Sequence, residues 1–107
     1  MSELLLRIDR FEVPLSARDE FMTRIVETHA VLHSQPGLNF DRIVERRGDD
    51  GSTIIITIAE WKSAEAIDAA AAAVRKMREA TDFSPAAFIE ANGIRADIGV
   101  YAPVAGI

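Results

Sequence analysis

The most strongly patterned part of the chain is the apolar run at residues 53–61, which reads TIIITIAEW. It places three isoleucines in succession, Ile54 to Ile56, whereas a strand with one solvated face alternates apolar and polar residues. We therefore interpret this segment as a strand that is covered on both faces. A polar break follows, and Ser63 is a typical residue to cap the helix that comes next.

Two strands and a helix are predicted before this run. Leu4 to Val13 alternates in two sets, one aliphatic and one that carries charges, and Pro14 ends it because proline lacks a backbone donor. Ser16 is expected to head a helix, with acidic residues in its first turn. Apolar residues then recur every three or four positions until the breaker Gln35-Pro36-Gly37.

The remaining elements follow from turn and capping signals. Leu38 to Arg47 alternates loosely, and the Gly-Asp-Asp-Gly-Ser turn at 48–52 predicts that it pairs with the isoleucine strand as a hairpin. The helix after Ser63 contains the alanine run 69–73, which is typical of a helix packed closely against a sheet. Ser84-Pro85 opens a short helix that reaches Glu90, and residues 94–101 alternate as a last strand.

This order, β-α-β-β-α-(short α)-β, predicts an α+β fold of the ferredoxin-like, split βαβ type in a single domain, residues 1–107. The sheet is expected to be four-stranded and antiparallel, with the helices on one face. Because two helices cover only one side of such a sheet, the isoleucine strand leaves an apolar patch on the other side. A second copy of the chain is the simplest cover, so we expect a homodimer.

Composition limits the partners and the compartment. The formal net charge of −5 argues against nucleic acid or an anionic membrane, since both select basic surfaces. There is no cysteine, which excludes disulfides, thiolate metal sites and a cysteine nucleophile. The first residues, MSELLLRIDR, lack the apolar core of a signal peptide, and no stretch reaches membrane-spanning length. The cytoplasm is therefore the expected compartment.

Three short segments resemble the antibiotic biosynthesis monooxygenase family. They are Phe11-Glu12-Val13-Pro14, Gln35-Pro36-Gly37 and, most specifically, Glu60-Trp61-Lys62-Ser63-Ala64-Glu65-Ala66. The resemblance covers nearly the whole chain and implies a dimeric α+β barrel, in which two ferredoxin-like subunits join their sheets. It also implies a ligand cavity in each subunit between the sheet and the helices.

The resemblance further implies a type of chemistry. Quinone-forming members oxidise phenols of polyketide origin with molecular oxygen, using neither a metal nor a flavin, and stabilise a substrate anion that reacts with oxygen. Trp61 matches the tryptophan of those members. They carry an asparagine where this chain has Thr57 and a tyrosine where it has Ile67. Haem-degrading relatives use an asparagine, a tryptophan and a histidine, and the approximate counterparts here are Asp9, Ala70 and Ala80.

Two histidines are candidates for chemistry. His29 lies within the apolar stripe of the first helix, so it faces the sheet either as a hydrogen-bonded structural residue or as a base for a phenolic proton. His33 follows at a spacing that can place two imidazoles on one metal ion, but there is no clear third ligand in the sequence. We therefore predict no metal site and no cofactor.

Four further positions complete the candidate site. Trp61 and Thr57 share one face of the isoleucine strand, which either packs plainly or leaves a pocket beside the aromatic ring. Asp9 shares a strand face with Arg7, as a simple ion pair or as the polar end of a cavity. Arg78 either holds an anionic substrate or is solvated. We assign catalysis to His29 and Trp61, and substrate binding to Thr57, Asp9 and Arg78.

Two classes of function remain at this point. The first is a cofactor-independent monooxygenase that acts on a small aromatic or polyketide-like phenol or hydroquinone. The second is a dimeric small-molecule binding or sensing module that has the family's cavity but no turnover. Oxygen consumption distinguishes them.

Overall fold

The computed structural model describes residues 3–107, and within them it contains four strands and three helices in the predicted order. The strands are β1 (Leu5–Pro14), β2 (Leu38–Arg47), β3 (Ser52–Trp61) and β4 (Arg95–Tyr101), and the helices are α1 (Leu15–Leu32), α2 (Ala64–Ala80) and α3 (Pro85–Ala91). The strands form one antiparallel sheet in the order β2-β3-β1-β4. The predicted ferredoxin-like α+β fold is confirmed.

The caps of the second and third helices also agree with the sequence. The Ser63 hydroxyl accepts a hydrogen bond from the backbone N–H of Ala66 at 3.1 Å, and the Ser84 hydroxyl accepts one from Ala87 at 3.3 Å. Both bonds satisfy a backbone donor that has no partner inside its helix. Within residues 3–107, no helix combines the length and the apolar character needed to cross a membrane.

The start of α1 differs from the prediction. Ser16 does not head the helix, because α1 begins at Leu15 with Pro14 at its cap and has no acidic residue in its first turn. Proline fixes a φ angle close to the helical one, so the chain passes from β1 into α1 without a linker. The backbone N–H of Leu15 donates to the carbonyl oxygen of Gly51 at 3.3 Å. The turn between β2 and β3 thus satisfies one of the backbone donors at the start of α1 that has no partner inside the helix.

The two faces of the sheet are chemically distinct. Residues opposite each other in an antiparallel pair share a face. The inner face, which the helices cover, carries Arg7, Asp9, Phe11, Val13, Asp41, Ile43, Thr53, Ile55, Thr57, Ala59 and Trp61. The outer face carries Leu6, Ile8, Arg10, Glu12, Phe40, Arg42, Val44, Arg46, Ile54, Ile56, Ile58, Glu60 and Tyr101. Its centre therefore combines the isoleucines of β1 and β3 with Arg10 and Arg42, and no helix within residues 3–107 covers it.

A β-bulge near the start of β2 sets which of its residues face inward. Leu38 pairs with Trp61, but the next pairing joins Phe40 to Glu60, so that Asn39 is an additional residue in β2. A bulge of this kind shifts the alternation of the strand by one position. As a result, Phe40 lies on the outer face and Asp41, opposite Ala59, lies on the inner face.

The core between the sheet and the helices consists of two clusters rather than one. The larger contains Phe11, Val13, Ala17, Phe21, Ile25, Ile55 and Ile94, and the smaller contains Ala59, Trp61 and Ala70. On β3, Thr57 lies between the residues of the two clusters. The space between the clusters is the site described next.

Candidate functional site

A cavity of about 710 Å³ lies between the inner face of the sheet and helices α1 and α2. This volume lies within the range of small-molecule sites in proteins. Its wall includes both clusters of the core and the connection between α2 and α3. All five residues singled out from the sequence line it: His29, Trp61, Thr57, Asp9 and Arg78.

Small side chains create the space. Thr57 and Ala59 on β3 face Ala70 and Ala71 on α2, and all four line the cavity. Larger residues at these positions would fill the volume between strand and helix. Ala70 is buried in the smaller cluster, as the close-packing interpretation of the alanine run predicts. The alanine run has a second effect, because its small side chains leave room for a ligand between α2 and the sheet.

His29 reaches this cavity from the last turns of α1. The buried residues of the helix, Ala17, Phe21, Ile25 and His29, recur at intervals of four, so they form one stripe that faces the sheet. Val26, which the apolar spacing included in a wider stripe, is 53 % exposed. His29 itself is 7 % exposed, and its Nδ1 lies 2.7 Å from Oδ2 of Asp41.

Asp41 is the residue that our sequence interpretation missed. Its carboxylate also binds Nε2 of His33, at 2.9 Å from Oδ1 and 2.8 Å from Oδ2. Burial alone would raise the pKa of Asp41, but the hydrogen bonds from His29 and His33 outweigh it and hold that pKa below its ordinary value. The carboxylate is therefore ionised at neutral pH.

Arg7 and Asp9 bring charge into the covered side of β1. Nε of Arg7 donates to Oδ1 of Asp9 at 2.7 Å, and both residues line the cavity. Both alternatives drawn from the sequence therefore apply, since Arg7 and Asp9 form an ion pair and also contribute a polar part of the cavity wall. Burial raises the pKa of Asp9, and Arg7, His29 and Arg78 offset only part of that rise.

Arg78 places a second guanidinium at the same end. Nη2 of Arg78 lies 3.5 Å from the hydroxyl of Thr28, which makes a weak contact, and Nε is buried without any hydrogen-bond partner in residues 3–107. Burial and the nearby charge of Arg7 lower the pKa of Arg78, while Asp9 acts in the opposite direction. A buried donor without an acceptor is costly, so this nitrogen is suited to bind an oxygen of a ligand.

Phenylalanine side chains from β1, α1 and the connection between α2 and α3 form a further part of the cavity wall. The Phe11 and Phe21 rings meet edge to face with centroids 5.0 Å apart, and the guanidinium of Arg24 lies 4.4 Å from the centre of the Phe83 ring. Phe11, Phe21, Arg24 and Phe83 all line the cavity, as does Arg75. The wall thus combines aromatic surface with several cationic side chains.

Trp61 closes the end of the cavity that lies near the carboxyl terminus of β3. Only 2 % of its surface is accessible, because it packs with Ala59 and Ala70. Most of the Trp61 ring therefore packs in the core, as one of the two interpretations of the sequence predicted. The rest of the ring borders the cavity, as the other interpretation predicted.

The structure does not gather a ligand set for a metal ion. Within residues 3–107, no group of three His, Asp or Glu side chains has a geometry that would hold one. His29 and His33 face one another across a carboxylate that both hydrogen-bond, and this arrangement directs their nitrogens at Asp41.

Comparison with known proteins identifies the fold. No protein-family model matches the chain, and neither does any curated protein. Solved structures match over nearly its full length. One is a protein from Shewanella loihica PV-4 that is described provisionally as a monooxygenase, with a TM-score of 0.71 and 20 % identity over 99 % of this chain and 99 % of that chain.

Two other structures are similar. SnoaB, a cofactor-independent oxygenase from Streptomyces nogalater, has a TM-score of 0.67 and 21 % identity over 99 % of this chain and 98 % of its own. A dimeric ferredoxin-like protein from an uncultured marine organism has a TM-score of 0.69 and 11 % identity over 97 % of this chain and 98 % of its own. The chain has the fold of these proteins. At such identities the similarity concerns the fold, and function must be argued from the site.

Proposed function

We propose that this protein is a cofactor-independent monooxygenase that oxidises a small aromatic or polyketide-like phenol or hydroquinone with molecular oxygen. The observation that supports the proposal most directly is the grouping around one cavity of a carboxylate-bound histidine and an arginine whose Nε has no partner. Its fold, shared with SnoaB, which is a cofactor-independent oxygenase, adds support by analogy.

In this proposal His29 is the general base. Its Nδ1 is held by Asp41, so Nε2 is the ring nitrogen that can accept a phenolic proton. The resulting substrate anion supplies the electrons that reduce oxygen. One oxygen atom enters the substrate as a carbonyl, and the other leaves as water with the two hydrogens that the substrate loses. The reaction balances without an added electron donor.

Arg78 is assigned to the substrate anion. Its buried Nε–H is a donor without an acceptor, and an anionic substrate oxygen would both satisfy that donor and be stabilised by the guanidinium charge. Thr57 and Asp9 are assigned to the wall that orients the rest of the substrate, since both line the cavity near His29. Asp9 also neutralises Arg7, which leaves Arg78 as the lining cation with a buried donor that has no partner within residues 3–107.

Trp61 is assigned to closing the cavity. With 2 % of its surface accessible, the ring offers little area for a substrate to stack upon, and its contribution is to exclude water from the reacting anion. Exclusion of water strengthens the electrostatic interactions inside the site.

We also propose that the protein is a homodimer joined through the outer face of the sheet. That face presents half-exposed apolar residues, among them Phe40 at 38 %, Val44 at 45 % and Tyr101 at 48 % exposed, next to the isoleucines of β3. A large apolar patch of this kind is typical of an interface between subunits. The dimeric ferredoxin-like protein of similar fold adds support by analogy for a dimer.

Oxygen uptake with a panel of hydroquinones and anthrones tests the proposed activity. We expect uptake that is proportional to the protein concentration, that persists in the presence of metal chelators, and that yields the anthraquinone from an anthrone or the hydroxyquinone from a hydroquinone, with one atom of O₂ in the product and the other in water. Thermal unfolding with the same compounds is measured in parallel, because a ligand that binds only the folded state raises the melting temperature. Compounds that raise this temperature without any oxygen uptake would contradict the oxygenase and identify a small-molecule binding module.

A further inference from the structure

One cluster of titratable side chains extends beyond the cavity. Asp41 on β2 binds His29 through Nδ1 and His33 through Nε2, at 2.7 to 2.9 Å. The three residues run from the interior to the surface, since the exposed fractions of their side chains are 9 % for His29, 18 % for Asp41 and 60 % for His33. His29 borders both the cavity and a surface groove that Asp41 and His33 also line.

The proton positions in this cluster follow from the carboxylate. An ionised carboxylate has only acceptors, so the nitrogen that faces it must carry the hydrogen. Asp41 is ionised at neutral pH, as described above, and the Nδ1 of His29 is therefore the protonated nitrogen. In a neutral imidazole this leaves Nε2 as the bare nitrogen. Within residues 3–107, the ring of His29 makes its hydrogen bond through Nδ1, and Nε2 makes none.

We propose that Asp41 is a positioning residue that holds His29 as the Nδ1–H tautomer with Nε2 available to the substrate, and that His33 holds Asp41 in place from the solvent side. This inference rests on the proposed role of His29 as the base. When Nε2 takes the substrate proton, the negative charge of Asp41 stabilises the imidazolium. The same proton then returns to the oxygen that leaves as water, so none has to pass through His33.

Other charged groups around His29 do not replace Asp41. Asp9 on β1 and Arg78 on α2 interact with each other across the cavity, and Asp9 is bound to Arg7. From β3 the facing residue is Thr57, which carries no charge. Asp41 is thus the acid that hydrogen-bonds the His29 ring, and the pH profile of the reaction should depend on it.

Nitrogen-15 NMR of histidine-labelled protein tests the tautomer without any substrate. In the wild type above neutral pH, we expect the chemical shifts of His29 to report a protonated Nδ1 and a bare Nε2. In Asp41→Asn the amide can accept from or donate to Nδ1, so the tautomers should mix. Asp49→Asn makes the same chemical change at the β2–β3 turn and should leave the His29 shifts unchanged. A bare Nδ1 in the wild type, or an unchanged tautomer in Asp41→Asn, overturns the proposal.

Turnover provides the second readout. Asp41→Asn should lower kcat on the order of 10²-fold, because an imidazole in the other tautomer has no base at Nε2, while KM changes little. His33→Gln retains a donor close to the position of Nε2, so it should lose less activity than His33→Ala. Equal losses in the two His33 variants would overturn the supporting role of His33.

The two readouts separate the two proposals. A protonated Nδ1 in a protein that consumes no oxygen with any compound would still support positioning by Asp41, while it would contradict the oxygenase. Oxygen uptake that is normal in a folded Asp41→Asn protein would contradict positioning and leave the oxygenase standing. If Asp41→Asn does not fold, the wild-type spectrum and the His33 pair still decide the matter.

Discussion

The two faces of the sheet reverse the usual distribution of polar and apolar residues at residues 6–9 of β1. An antiparallel strand commonly places apolar residues toward the core and polar residues toward solvent. Here Arg7 and Asp9 point to the side that the helices cover, whereas Leu6 and Ile8 point to the side that they do not cover. The covered side therefore holds a polar cavity within the core, and the uncovered side is the proposed dimer interface.

This difference separates the two tasks of the molecule. The inner face tolerates buried charge because ion pairs and hydrogen bonds satisfy most of it, as in Arg7 with Asp9 and His29 with Asp41. The outer face combines the isoleucines of β1 and β3 with two arginines, Arg10 opposite Ile56 and Arg42 opposite Ile58. We expect changes on the outer face to affect assembly first, and changes on the inner face to affect ligand chemistry first.

The largest expected effect is on the outer face, at Ile56. Ile56→Lys places an ammonium group at the centre of the proposed interface, directly opposite Arg10, where it would be buried beside a like charge. We expect little dimer to remain at micromolar concentration, because a buried charge of this kind weakens association on the order of 10⁴-fold or more, which corresponds to about 5.5 kcal/mol. Light scattering coupled to gel filtration measures the mass, and Ile56→Val is the control that should remain dimeric. A wild-type chain that is monomeric at micromolar concentration would contradict the proposed interface.

The next effect is on the inner face, at His29. In His29→Asn the side-chain amide can still donate to Asp41 from the position of Nδ1, but the nitrogen that acts as the base is lost. Turnover should fall by roughly 10² to 10⁴-fold, whereas the melting temperature and ligand binding stay close to those of the wild type. If the rate per folded molecule is unchanged, His29 is structural and the base lies elsewhere.

A smaller effect is expected from filling the cavity. Ala71 lines the cavity and Ala72 does not, although both lie on α2 and are exposed. Ala71→Leu should lower the affinity for an aromatic ligand by about tenfold, the equivalent of about 1.4 kcal/mol of lost contact or strain. Ala72→Leu should bind as the wild type does. Calorimetry on the two variants makes the comparison, and equal affinities would place the ligand outside this cavity.

The smallest effect concerns the rim of the covered face, where α1 is attached to β2. Both nitrogens of the Arg18 guanidinium that face Glu45 bind its carboxylate, at 2.7 and 2.8 Å. The hydrogen bonds from Arg18 and then Thr53 lower the pKa of Glu45 from 4.5 to about 2. A pKa lowered in the folded state adds stability above the unfolded value, and this stability is lost as pH falls from about 4.5 toward 2.

Glu45→Gln should therefore reduce the melting temperature at neutral pH slightly and flatten its dependence on pH in the acidic range. Glu79→Gln, on the exposed side of α2, serves as the control for a lost carboxylate. Thermal unfolding between pH 2 and pH 7 measures both. An acid transition in Glu45→Gln with the wild-type slope would show that this ion pair contributes little.

Much of the fold could be predicted from local signals in the sequence. Neighbouring residues alone determine the caps at Ser63 and Ser84 and the turn at 48–52. The isoleucine run could be predicted to be buried because its residues are apolar in succession. The start of α1 could not be predicted in this way. Its first donor is satisfied by Gly51, which is distant in sequence, so Ser16 was a reasonable but wrong choice.

Within the candidate site, too, some residues could be predicted from local sequence patterns and one could not. His29, Thr57, Trp61 and Asp9 could be brought together because strand parity and helix period each place a side chain on a known face. Asp41 could not, because a regular alternation from Leu38 would have turned it outward. The signal that could have found it is the loose alternation of β2, in which an asparagine precedes two residues of opposite character, Phe40 and Asp41.

The bulge at Asn39 also has a consequence for how this chain tolerates change in length. It sets the phase of β2 for everything that follows, so that one inserted residue decides which side chains meet the helices and which meet a partner. Deleting Asn39 would remove the bulge and bring Phe40 directly after Leu38, so that Phe40 still pairs with Glu60 and Asp41 with Ala59. Both residues would therefore keep their faces. A change of length at this one position is thus expected to spare the proposed catalytic and assembly functions together, whereas replacing the bulge by regular pairing with Asn39 still present would turn Phe40 inward and Asp41 outward.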